Sequence, residues 1–128
     1  MQFTRTHSHL YISYQLIFNL KKDIEIRIGK LGLCFFPEGT YVYTGSARKN
    51  IEARLSRHTR KSGKRLHWHI DYLLSHPDCK IVKIKRSTAG ECDLNQRTKG
   101  RVIIPGFGSS DCVHGCKSHL KLIMEDLK

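Results

Sequence analysis

A chain of 128 residues is long enough for one domain with a modest single core. Its apolar share of 39 % and charged share of 27 % suit a water-soluble globular fold and exclude a disordered or fibrous chain. The net charge of +12, from 23 Lys and Arg against 11 Asp and Glu, favours a polyanionic partner, nucleic acid ahead of an acidic membrane surface.

No apolar run approaches the roughly 20 residues that a membrane span needs. The segment from Met1 to His9 is polar and lacks a signal-type apolar centre, so a cytoplasmic location is expected. The five cysteines are an odd number. In that compartment they point to reduced thiols or a metal site rather than disulfides.

Tyr11 to Leu20 is rich in aromatic and β-branched residues and predicts a strand, ended by Lys21-Lys22-Asp23. Ile24 to Ile28 alternates apolar and charged residues, as a half-buried strand does. Gly29 to Gly32 predicts a turn, Leu33 to Phe36 a third strand, and Pro37-Glu38-Gly39 another turn. Thr40 to Thr44 follows as a strand with Tyr41 and Tyr43 on one face. Gly45-Ser46 is expected to break it, with Ser46 capping a helix from Ala47 to about Arg60.

In that helix Ala47, Ile51 and Leu55 form an apolar stripe, into which Arg54 and His58 also project. His67 to Leu74 predicts a second helix stopped near Pro77, Cys79 to Arg86 a strand, and Ala89 to about Lys99 a short helix. Pro105 to Ser110 is a glycine and serine loop. Ser118 to Leu127 fits helical spacing, while its first half also suits a strand. No repeat or linker divides the chain, so residues 1–128 are expected to form a single α+β domain.

Three constellations can carry chemistry. Tyr41, Tyr43, Arg54 and His58 form the first. An arginine on an apolar stripe is costly to bury alone. It needs either a carboxylate, Asp71 or Glu91, or an anion such as a phosphate, which an arginine fork suits. His58, one turn on, can move protons near neutral pH. Around this pair, residues 48 to 65 carry eight Lys or Arg against one acid, Glu52. Arg48, Lys49, Arg57, Arg60, Lys61, Lys64 and Arg65 are therefore the expected contacts to a nucleic-acid backbone.

Glu91 and Asp93 are the second, the only acids between Asp78 and Asp111. One carboxylate can hold a divalent ion when substrate phosphates and waters supply the other ligands. A first-turn glutamate favoured by the helix dipole is the plainer reading. The third constellation is Asp111 to His119, where Cys112, Cys116, His114 and His119 have the look of a zinc knuckle that Cys92 or Cys79 can complete. Small buried thiols and a loop-supporting histidine are its plainer reading. His67 and His69 flank Trp68 and, with Asp71, suit substrate binding or a polar helix start.

Gly39 to Ala47, Ala53-Arg54-Leu55, Arg57-His58, His67 to Leu74, Glu91-Cys92, Pro105 to Cys112 and Ser118-His119-Leu120 together resemble the GIY-YIG nuclease superfamily. More narrowly they resemble a mainly archaeal branch sometimes joined to endonuclease III repair glycosylases. The resemblance implies a small, mainly antiparallel sheet flanked by helices. It also implies endonuclease activity, the hydrolysis of phosphodiester bonds with one Mg²⁺ or Mn²⁺. By motif, Tyr43 is the second-motif tyrosine, Arg54 the phosphate-steadying arginine and Glu91 the metal ligand. Tyr14 stands nearest to the first-motif tyrosine, without its preceding glycine and nearly 30 residues upstream of the second motif. Tyr43, with Tyr14 or Tyr41, would place the water, and His58 or His69 would shuttle a proton. The implied partners are nucleic acid, DNA ahead of RNA, and a DNA-repair enzyme. Two other readings stay open on these residues: a non-catalytic nucleic-acid-binding module, and an interaction domain stapled by zinc at Cys112, Cys116 and His119.

Overall fold

A computed structural model describes residues 11–47, 49–60, 66, 68–109 and 115–125. The described elements are β1 (Ser13–Leu20), β2 (Ile24–Ile28), a one-turn 3₁₀ helix (Gly29–Leu31), β3 (Gly32–Phe36), β4 (Gly39–Ser46), α1 (Ile51–Thr59), α2 (His69–Leu74), β5 (Cys79–Ser87), α3 (Glu91–Arg97), β6 (Arg101–Val102) and β7 (Leu120–Glu125). Five strands form one sheet in the order β5-β1-β4-β7-β6, every neighbour antiparallel. β2 and β3 make a separate hairpin. The fold is α+β, as expected, and no helix among the described residues is long and apolar enough to cross a membrane.

Period-two alternation builds the core. On β1, Tyr14, Leu16, Phe18 and Leu20 share a face. Opposite them on β4 stand Gly45, Tyr43, Tyr41 and Gly39. Leu120 and Leu122 of β7 extend this face beside Tyr43 and Tyr41. Ile70, Leu73 and Leu74 of α2, Ile51 and Leu55 of α1, Phe36 of the hairpin and Phe107 join the same buried cluster. The other face of the sheet is polar and meets α3: Gln15 donates to the hydroxyls of Thr44 and Thr98 at 3.1 and 2.7 Å.

Three local expectations change. β4 does not stop at Gly45, because Ser13 and Tyr14 of β1 pair with Ser46 and Gly45 and carry the ladder through. The helix starts later, at Ile51. Its cap is Asn50, left-handed at φ 49°, whose side-chain oxygen accepts from the Ala53 amide at 3.1 Å. The C-terminal segment is the strand β7, since pairing with β4 and β6 outweighs a pattern that also fits a helix.

Gly45 has a packing role rather than a breaking one. A Cβ there would stand 2.5 Å from both Cζ and the hydroxyl oxygen of Tyr14. The Tyr14 ring is 2 % exposed and cannot move aside cheaply. Gly45→Ala should therefore cost about 1–3 kcal/mol by overcrowding. In a Tyr14→Leu background that cost should largely vanish. Urea denaturation of the four chains in this cycle reads the coupling, and an unchanged penalty in both backgrounds refutes the contact.

Candidate active site

Where β4 ends, side chains from β1, β4, α1 and α3 meet. The Glu91 carboxylate, at the start of α3, accepts from the Ser46 hydroxyl at 2.7 Å through Oε1. Its Oε2 lies 2.6 Å from His119 Nδ1. The same Ser46 offers its carbonyl to Arg54 Nη1 at 2.8 Å. The charge of Arg54 also acts on Tyr14, whose hydroxyl lies 2.7 Å from His58 Nε2. A polar chain of groups thus runs Glu91–Ser46–Arg54 and Tyr14–His58, the two stretches related by the Arg54 charge acting on Tyr14.

The electrostatics separate the roles. Half-burial pushes the Glu91 carboxyl up, but hydrogen bonds from His119 and Ser46 and the charges of His119 and Arg54 outweigh it. The net result is a carboxylate held below the usual glutamate range. Both tyrosines move the other way. Burial raises Tyr14 above the ordinary phenol range despite the nearby Arg54, and burial raises Tyr43 as well. Neither is a phenolate near neutral pH. The protonated Tyr14 hydroxyl shares a hydrogen bond with His58 Nε2 whose direction follows the His58 tautomer.

Tyr43 contributes shape more than a reactive hydroxyl. Its ring stands edge-on to Phe107 and His58, with centroids 6.4 Å away in each case. A Cβ at Gly108, whose φ is +68°, would meet the Tyr43 ring at 2.9 Å. Tyr41 stacks on Phe18 with centroids 5.4 Å apart and gives its hydroxyl to the Pro37 carbonyl, at the other end of β4. It belongs to the scaffold.

His69 holds the glycine loop. Its Nδ1 accepts from the Gly108 amide at 2.8 Å, which fixes the proton on Nε2, and burial lowers its tendency to charge. Those bonds tie it to the loop rather than to the Tyr14–Arg54 chain.

Arginines 54 and 57 have divided tasks. Arg57, grouped by sequence with the backbone-gripping cations, sets its fork on both oxygens of the fully buried Asp71 at 2.8 and 2.9 Å. Asp71 also accepts from the Trp68 amide at 2.8 Å, which starts α2. The Trp68 ring centroid lies 4.5 Å from each guanidinium carbon, so one ring contacts both cations. Arg54 therefore has no share in Asp71's bidentate bond and stays half-exposed beside the site.

Of the remaining expected cations, Lys49 and Arg60 are exposed. Arg48, Lys61, Lys64 and Arg65 lie outside the described residues, as do Cys112 and His67. The sequence reading did not single out Lys80, Lys83 and Lys85, which stand exposed along β5, the edge strand of the sheet. Their alternation with Ile81 and Ile84 was the available signal. Ser46, read as a helix cap, and Trp68 were also missed as site residues. A groove of about 500 Å³ between α1 and β5 touches the polar chain only at His58, so it is not the cleft in front of Arg54 and Glu91.

One further group adjoins the site. Cys92, Cys116 and His119 bring their ligand atoms within 4.8 Å of one another. Cys79, the other thiol considered for this group, is buried at the start of β5 and is not part of it.

No curated protein and no solved structure matches the chain. A family model described as "Domain of unknown function DUF123" matches residues 13–128. The chain thus belongs to the DUF123 family, which the match spans from β1 to the C-terminus.

Proposed function

We propose that this domain binds nucleic acid, DNA ahead of RNA, and hydrolyses phosphodiester bonds in the manner of the GIY-YIG nucleases that its motifs resemble. The observation that carries the reading is the convergence of Tyr14, Arg54, His58 and Glu91 from three separate elements into one polar chain. A fold needs no such meeting of an arginine, a phenol, an imidazole and an ionised carboxylate for stability alone. Meetings of this kind mark sites of chemistry.

Glu91 fits a hard divalent ion. Its carboxylate is ionised, 27 % exposed and oxygen-only; Oε1 accepts from Ser46 and Oε2 lies 2.6 Å from His119 Nδ1, which leaves further lone pairs. Mg²⁺ or Mn²⁺ bound there would polarise the phosphoryl oxygen and stabilise the leaving oxygen. Arg54 offers the phosphate its N–H donors beyond the one used on Ser46, five being available on a guanidinium. Trp68 and Ser46 hold that fork in place. The attacking water passes its proton to the Tyr14 oxygen while the Tyr14 proton moves to His58 Nε2. Lys49, Arg60 and the β5 lysines would hold the flanking backbone, so affinity should fall steeply with salt.

A rival reading, a non-catalytic binding module, draws on both Glu91 oxygens already being engaged by Ser46 and His119. Tyr14→Phe tests the catalytic reading with little disturbance, because the ring stays over Gly45. Cleavage of labelled DNA in Mg²⁺ should fall about 100-fold with binding unchanged. Cleavage at the wild-type rate would remove Tyr14 from the mechanism. Tight binding without cleavage by the wild-type chain, on any DNA or RNA substrate, would favour the binder.

A further inference from the structure

We infer that Cys92, Cys116 and His119 form a zinc site, with Glu91 as the carboxylate that orients His119 on the metal. The ligand atoms lie within 4.8 Å of one another. In a tetrahedral zinc site with Zn–S near 2.3 Å, sulfurs stand about 3.8 Å apart. Closing the cluster therefore takes side-chain adjustments of about 1 Å. Two sulfurs and an imidazole are the donor set of zinc, not of the hard cations that suit Glu91.

The surroundings fit a metal-bound thiolate. The Gln96 amide points at Cys116 Sγ from 3.6 Å. An N–H group directed at sulfur stabilises thiolate ligation. His119 is 2 % exposed, with Nδ1 2.6 Å from Glu91 Oε2. Coordination through Nε2 with Nδ1–H on a carboxylate is the usual arrangement of zinc histidines.

The site links α3, which carries Cys92, to the segment entering β7, which carries Cys116 and His119. It is therefore a staple directly behind Glu91. Two thiolates neutralise Zn²⁺, so the staple adds no net positive charge beside the carboxylate. One ligand position is left for water or a further donor.

Metal content is read on the purified full chain without nucleic acid, so the result does not depend on the nuclease reading. Elemental analysis should give one zinc per chain, and Cys92→Ser, Cys116→Ser and His119→Ala should each lose it. Asp93→Asn, one residue along the same helix, should keep it. Glu91→Gln should keep the zinc with affinity weakened about 10–100-fold in a chelator competition. Should a cysteine variant fail to fold, Co²⁺ added to the metal-stripped wild-type chain gives the second readout, a thiolate-to-cobalt charge-transfer band. Folded, zinc-free protein that shows no such band overturns the assignment, as does zinc retained in the Cys92→Ser/Cys116→Ser double variant, or another metal in its place.

Discussion

Arg57→Ala is expected to destabilise the fold by about 3–5 kcal/mol. Asp71 is fully buried, and Arg57 supplies two of its hydrogen bonds as a planar fork. Removing the arginine takes the fork away from a buried carboxylate that still accepts from the Trp68 amide. It also frees one side of the Trp68 ring, which orders Arg54. Arg57→Lys keeps the charge but not the fork, so it should recover only part of the loss. Urea denaturation measures both. Any loss of nucleic-acid affinity in Arg57→Ala should then track the unfolded fraction. A stable Arg57→Ala chain with weakened binding would instead return Arg57 to the contact surface.

Glu91→Gln is expected to lower Mg²⁺-dependent cleavage by about 1,000-fold or more. A bound metal contributes several kcal/mol to the transition state, and each 1.36 kcal/mol is tenfold in rate. The amide keeps the shape of the carboxylate and an oxygen for the Ser46 hydroxyl, so the fold should survive. The acid limb carries the same signature. The Glu91 carboxyl is held below the usual glutamate range, so metal binding in the wild-type chain should persist to a lower pH than an isolated glutamate allows. His119→Asn removes part of that hold and should move the limb upward.

Much of the fold was legible because it is written in short-range pattern. β2 alternates cleanly, Pro77 follows the end of α2, and α3 lies within the helix expected over Ala89 to about Lys99. The start of α1 was not legible. Ser46 is a good helix cap by residue type, but the β1 ladder reaches it and its hydroxyl is taken by Glu91, so the cap falls to Asn50. β7 was ambiguous because Leu120, Ile123 and Met124 satisfy helical spacing, while its pairing partners lie far away in the chain.

At the site, turn spacing singled out Arg54 and His58, and the motif resemblance added Glu91. Spacing did not assign their partners. Arg54 and Arg57 are three residues apart on one helix and equally near Trp68, so which of them takes Asp71 is decided by packing. Gly45 looked like a strand end. Its reason is a ring from a strand 31 positions upstream, which only the Tyr14–Gly45 pairing reveals. His119 read as one zinc ligand among several, and nothing local showed that its other nitrogen faces Glu91.

The proposed hydrolysis of phosphodiesters by the groups from Glu91 to His58 is measured as the cleavage rate of a DNA panel in Mg²⁺, for the wild-type chain and Glu91→Gln at protein concentrations giving equal binding. The wild-type chain should cleave in a way that EDTA abolishes, and Glu91→Gln should cleave almost nothing. Equal cleavage by the two chains, or bound DNA left intact by both, would contradict it.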